Sequence, residues 1–179
     1  ARVRKRASEG DVQIELLLHL RPRLAVAEAY RNLRTALLLS SARQLKVIVV
    51  TSAVPSEGKT STAGNLAVVL AQLGKKVLLV DGDLRKPRQH EVFHATNKVG
   101  LVSYLTHTTE ADKIVFRCGI ENLYLTPSGP IPPNPSELLS SERMGEFLKF
   151  VRSQFDIVII DSAPTLAVTD GILIGAQSD

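Results

Sequence analysis

One octapeptide, AVPSEGKT at residues 53–60, constrains this chain more than any other feature. It follows the β-branched run KVIVVTS at 46–52 and precedes a stretch of good helix formers from Thr60 to Leu73, which Gly74 stops. A strand, a turn and a helix in that order, with Gly-Lys-Thr at the join, make a phosphate-binding loop. Backbone N–H groups of the loop and the positive end of a helix starting near Lys59 form a nest for phosphate oxygens. Lys59 adds a point charge at the β/γ oxygens, and the Thr60 hydroxyl can ligate Mg²⁺. The nucleotide-contact candidates are therefore Ser56, Glu57, Gly58, Lys59, Thr60 and Ser61. Ala53 stands where the common pattern has its first glycine, and a positive φ there would cost an alanine something.

The rest of the pattern says what the loop is mounted on. Residues 76–81 (KVLLVD), 122–126 (NLYLT) and 155–161 (FDIVIID) are short apolar runs, with a helical segment at 141–154 between the last two. Continuous apolar strands alternating with helices mean a parallel sheet covered on both faces, so the class is α/β, doubly wound, with a mainly parallel sheet. Asp81 and Asp83 end one strand and Asp161 ends another. In an open parallel sheet the carboxyl ends of strands converge on the ligand crevice, so these three carboxylates are expected to face the same phosphates. Mg²⁺ takes oxygen ligands from few protein groups plus phosphates and waters, which Thr60, Asp81, Asp83 and Asp161 can supply. The two aspartates of the Asp-x-Asp need not share a role: one can hold metal while the other accepts a proton from an incoming hydroxyl.

Composition limits the alternatives. The 179 residues suit one domain, and 44% hydrophobic residues can build a core. A single cysteine excludes a disulfide framework. The net charge of +4 is unevenly placed: residues 1–46 hold ten Lys/Arg against four Asp/Glu (net +6), and residues 47–179 hold twelve against fourteen (net −2). Residues 1–24 read as a basic arm and linker and 25–179 as the domain. Arg2, Arg4, Lys5 and Arg6 form the kind of cluster that the cytoplasmic flank of a membrane span or an anionic lipid surface selects. No apolar run reaches the roughly 18 to 20 residues a span needs, so the piece itself is expected to be soluble. The acidic body and 4% aromatic content argue against nucleic-acid binding. Residues 25–39 form a helix presenting Glu28, Arg31 and Arg34 at spacings of three, either as a solvated set or as a subunit interface. In the Pro-rich loop at 127–135, Asn134, Pro135 and Glu137 read as a cap, a first-turn proline and a capping box. His90 and His94 have no third ligand spaced with them, and Cys118 reads as a small buried or half-buried side chain.

Together these motifs closely resemble the catalytic domain of the bacterial tyrosine autokinases (BY-kinases) of capsule and exopolysaccharide synthesis. The resemblance covers most of the chain: EAYRNLRT at 28–35, the Walker A loop at 53–60, the Walker A′ segment LLVDGDLRKP at 78–87, GLVSYL at 100–105, PPNPSELL at 132–139 and the Walker B strand IVIIDSAP at 157–164. It implies a P-loop fold and ATP- and Mg²⁺-dependent phosphorylation of tyrosines, chiefly in a C-terminal cluster of a neighbouring subunit. By the same resemblance Lys59 and Thr60 hold phosphate and metal, Asp83 and Asp161 help coordinate Mg²⁺, Asp81 is the base for the tyrosine hydroxyl, and Arg85 sits among the nucleotide-site residues. Glu28, Arg31 and Arg34 would dock into the next subunit of a closed ring. A membrane-spanning activator, fused or separate, would place the enzyme at the cytoplasmic face of the cell membrane.

Relatives in that family continue past the position of Asp179 into a further strand, more helix and a tyrosine-rich tail. Tyr30, Tyr104 and Tyr124 read as positions of the folded body, so the main phosphoacceptors are expected elsewhere. The competing reading is a P-loop switch ATPase of the partitioning or division-positioning type. Those proteins carry a second signature lysine five residues before the loop lysine, where this chain has Val54.

Overall fold

The structure, a computed structural model, describes Leu18 and residues 25–40 and 45–179. The basic cluster at residues 2–6 lies outside the described residues. Five strands, β1 (Val47–Val50), β2 (Val77–Asp81), β3 (Phe116–Arg117), β4 (Leu123–Thr126) and β5 (Ile157–Asp161), form one sheet in the order β1-β5-β2-β4-β3. The pairs β1·β5, β5·β2 and β2·β4 are parallel and β3 joins β4 antiparallel at the edge, as the α/β reading requires apart from that added strand.

The apolar strands sort their side chains by alternation. Leu78, Val80, Val158 and Ile160 point into one core with Met144, Phe147 and Val151 of the helix Glu142–Gln154. Val77, Leu79, Ile157 and Ile159 point into the other, with Leu66, Val69 and Leu70 of the helix after the phosphate loop. Both faces are covered, so the strands carry no polar face. Among the flanking helices, α1 (Ala25–Leu39) packs on α2 (Lys59–Ala71), and Leu18, 1% exposed, packs into the same core. Ser141 caps the Glu142–Gln154 helix by accepting from Met144 N. The Asn134 cap differs from the expected box: its amide donates to Glu137 Oε2 at 2.6 Å rather than accepting from the backbone, and Pro135 opens the short helix α5 (Pro135–Leu139). Two further short helices matter to the site: α3 (Gln89–Val92), directly after the Asp-x-Asp, and α7 (Asp170–Gly175). Among the described residues no helix is long and apolar enough to cross a membrane.

Candidate active site

The phosphate loop leaves β1 and enters α2 through two left-handed residues, Ser56 (φ 69°) and Gly58 (φ 84°). Ala53 is not in that region, so the cost foreseen there does not arise; the strain sits at Ser56, where a side chain in a left-handed conformation costs about 1 kcal/mol or more. A Cβ on Gly58 would meet nothing within 4 Å, so its backbone angle, not space, calls for glycine. Gly58 also offers no capping side chain, which leaves the first-turn N–H groups of α2 uncapped at the positive end of the helix. Glu57, expected among the nucleotide contacts, turns back on the loop: its Oε2 accepts from Ala53 N at 2.9 Å and Val54 N at 3.2 Å.

The three aspartates converge, at different depths. Asp81 and Asp161 are register partners at the ends of β2 and β5. Asp83 lies two residues further, its Oδ2 2.9 Å from Lys59 Nζ and its Oδ1 accepting from Arg85 N and Lys86 N at 3.3 and 3.0 Å. Lys59 Nζ is also 3.9 Å from Asp161 Oδ1. Asp81 is 0% exposed, and its Oδ2 accepts from Arg88 N at 3.0 Å and Gln89 N at 2.9 Å. Burial, with the negative charges of Asp161 and Asp83 beside it, pushes the Asp81 carboxyl up to about 8. Burial also raises Asp161, against the opposing pull of Lys59. Asp83 lines the open cleft, while Asp81 and Asp161 are fully buried at the strand ends behind it.

The oxygens fit Mg²⁺. Oδ1 of Asp81 and Oδ1 of Asp161 are buried acceptors without a hydrogen-bond donor, a costly state that a cation relieves. Thr60, Asp83 and Asp161 are the groups that would hold it.

Above them opens a cleft of about 450 Å³. Ser56, Gly58, Lys59, Thr60 and Ser61 of the loop line it together with Asp83, Arg85, Lys86 and Arg88, and Pro164, Ala167 and Val168 give it an apolar wall. Arg85 lines the cleft, but its guanidinium is held by Asp170: Nε donates to Oδ2 at 2.8 Å and Nη2 to Oδ1 at 3.2 Å. Ser136 donates to Asp170 Oδ1 at 2.6 Å and accepts from Arg85 Nη2 at 3.0 Å. Burial opposes the Asp170 charge, yet the Arg85 fork and Ser136 outweigh it and hold the carboxyl below its usual range. Arg85 is thus a strut tying the segment after β2 to the helices Pro135–Leu139 and Asp170–Gly175, as well as a cleft residue.

On α1 Ala27 alone of 15 residues is buried, and Val26, Leu33, Leu38 and Leu39 are exposed beside Glu28. Arg31 pairs with Glu28, whereas Arg34 donates to Val69 O at 3.0 Å, capping the C-terminal turn of α2. Tyr104 is buried and its hydroxyl is raised by that burial; Tyr30 and Tyr124 are half-buried. Cys118 is half-buried, as read from its neighbours.

Four positions that sequence reading passed over bear on the site: Gln89, Ser136, Asp170 and Gly82. Gln89 is fully buried and its Nε2 donates to Asp161 Oδ2 at 2.9 Å and Thr60 O at 3.2 Å. A Cβ on Gly82 would lie 2.8 Å from Ile160 Cγ2 and 3.0 Å from Asp161 O, so the middle of the Asp-x-Asp must be glycine for space. The first three carry no spacing signal, since each acts across a tertiary contact.

A family model described as an AAA domain matches residues 45–178. The tyrosine-protein kinase YwqD of Bacillus subtilis is 44% identical over 94% of this chain and 71% of its own length. The tyrosine-protein kinase wzc of Salmonella typhimurium is 42% identical over 93% of this chain, which spans only 23% of that protein. The solved kinase domain of Escherichia coli tyrosine kinase ETK superposes with a TM-score of 0.89 at 34% identity, over 98% of this chain and 68% of that one. The cell division ATPase MinD of Pyrococcus furiosus is more distant, with a TM-score of 0.64 at 26% identity over 74% of this chain and 56% of its own. The P-loop, the Asp-x-Asp and the Walker B strand therefore stand in a chain that belongs to the bacterial tyrosine-protein kinase family, built on a P-loop ATPase fold.

Proposed function

We propose that this chain is the catalytic part of an ATP-dependent protein tyrosine autokinase that transfers the γ-phosphoryl group to tyrosines of a neighbouring subunit. The observation that carries the reading is the convergence of a strained phosphate loop, the Lys59–Asp83 pair and two buried aspartates on one cleft. Loop amides with Ser56, Gly58 and Ser61 bind the phosphates, and Lys59 exchanges its Asp83 contact for a phosphate oxygen. Bound Mg²⁺ would neutralise charge on the transferring group, with Thr60, Asp83 and Asp161 as its protein ligands. The phenol oxygen bonds to the γ-phosphorus, the bond to the β–γ bridging oxygen breaks, ADP leaves, and the phenolic proton passes to a carboxylate. Asp83 is on the cleft wall and meets the phenol first. Asp81, favoured as the base from sequence, is fully buried, so Asp83 is the carboxylate that the cleft offers to the phenol.

The apolar wall of Pro164, Ala167 and Val168 suits an aromatic ring, and exposed Lys86 and Arg88 suit an acidic or phosphorylated flank. The burial of Tyr104 and half-burial of Tyr30 and Tyr124 support a substrate tyrosine supplied from elsewhere. The exposed apolar and charged face of α1 supports a ring-type self-assembly through Glu28, Arg31 and Arg34. Work beside a membrane-spanning activator, fused or separate, at the cytoplasmic face of the membrane and in polysaccharide export completes the reading; the family resemblance supports it. The test is phosphotyrosine formation with ATP and Mg²⁺ by the full-length protein. Phosphate release without phosphotyrosine would favour the switch-ATPase reading, which Val54 at the signature-lysine position speaks against.

A further inference from the structure

We propose that Gln89 is a positioning residue that selects which oxygen of Asp161 is presented to the nucleotide-bound cation. The proposal rests on the nucleotide and Mg²⁺ reading of the cleft, and is independent of what the phosphoryl group is transferred to. Gln89 opens α3 directly behind the Asp-x-Asp and is fully buried. Its backbone N–H donates to Asp81 Oδ2 at 2.9 Å, and its side-chain amide donates to Asp161 Oδ2 at 2.9 Å and Thr60 O at 3.2 Å. One residue therefore ties together the ends of β2 and β5 and the first turn of α2.

The amide can sit only one way round. Flipped, Oε1 would face two acceptors, the Asp161 carboxylate and the Thr60 carbonyl. In the observed orientation Asp161 Oδ2 is occupied, and Oδ1 is the oxygen left facing Lys59 Nζ at 3.9 Å with no hydrogen-bond donor of its own. Packing does not explain the choice of residue: Gln89 Oε1 is itself buried without a donor, and an apolar side chain of similar size would fill the space without stranding it. The amide group, not the volume, is what makes the contacts to Asp161 and Thr60. Groups that orient a metal ligand in this way typically govern affinity by roughly ten- to a hundred-fold.

The test is Mn²⁺ binding to the protein·ADP complex, followed by the electron paramagnetic resonance of free Mn²⁺, beside binding of fluorescent ADP in chelator. Gln89→Leu, which keeps bulk and removes both donors, is expected to weaken Mn²⁺ roughly ten- to a hundred-fold and leave metal-free ADP binding unchanged. Gln89→Glu, which keeps the shape and sets an acceptor against Asp161, is expected to weaken Mn²⁺ at least as much, and it carries the test if the leucine variant does not fold. A folded variant that binds Mn²⁺ as tightly as the parent overturns the proposal, as does a loss of metal-free ADP binding equal to the loss of Mn²⁺ binding, which marks a merely structural role. If the parent protein itself binds no Mn²⁺ with ADP, the nucleotide reading of the cleft fails and this proposal with it. Absence of phosphotyrosine with normal Mn²⁺·ADP binding removes only the kinase reading.

Discussion

Asp81 and Asp161 are paired residue for residue at the carboxyl ends of adjacent parallel strands, both buried, with Gln89 donating to each. Two like carboxyls in such a place cannot both ionise cheaply, so in the metal-free protein the proton stays on Asp81 well above the usual carboxylate range.

That proton has a sign that can be checked. Folded, Asp81 holds it up to about 8, while unfolded it loses it near the ordinary 3.8. Between those values the folded state binds more protons, so this group's contribution to stability falls as pH rises. In chelator, the melting temperature is expected to drop between pH 6 and pH 8.5, and the drop is expected to flatten in Asp81→Asn. Parallel pH slopes in the two proteins would contradict the assignment. Because a bound cation favours the charged carboxylate, Mg²⁺·nucleotide binding at pH 7 is also expected to release protons, read by calorimetry in buffers of different ionisation enthalpy.

Gly82→Ala drives a Cβ into Ile160 and the Asp161 carbonyl between the two aspartates. Overpacking of that kind costs about 1–3 kcal/mol, so a lower denaturation midpoint and a loss of nucleotide-dependent metal binding are expected together. An alanine variant that keeps both would show that the β2–β5 contact gives way more easily than its spacing implies.

Arg31 and Arg34 separate on α1. Arg34→Ala removes the cap on Val69 O and is expected to lower monomer stability by about 1 kcal/mol in addition to any effect on assembly. Arg31 pairs with Glu28 on the outer face of the helix, and Arg31→Ala is expected to shift particle mass from ring to monomer in analytical ultracentrifugation. An unchanged mass for Arg31→Ala removes the interface role.

The strands, the loop and the three aspartates were legible because each is written locally: β-branched runs, Gly-Lys-Thr at a strand–helix join, and acids at strand ends. The depth of those acids was not, since it depends on the tilt of α3 over the strand ends, where Gln89 and the Arg88 amide cover Asp81. That the Glu57 side chain reaches back to the loop's own amides is not written in the motif. Arg85 was read as a cleft cation; its lock to Asp170 joins positions 85 residues apart, beyond the reach of any motif. Edge strand β3 went unseen because two residues carry no period.

Transfer of phosphate to tyrosine at this cleft is read from the ratio of phosphotyrosine formed to phosphate released with labelled ATP and Mg²⁺, in the full-length protein and in Lys59→Met. Transfer at this cleft puts label on tyrosine in the parent, reduced by about 100-fold or more in the variant that loses the loop cation. Label appearing only as free phosphate, or phosphotyrosine surviving undiminished in Lys59→Met, would contradict it.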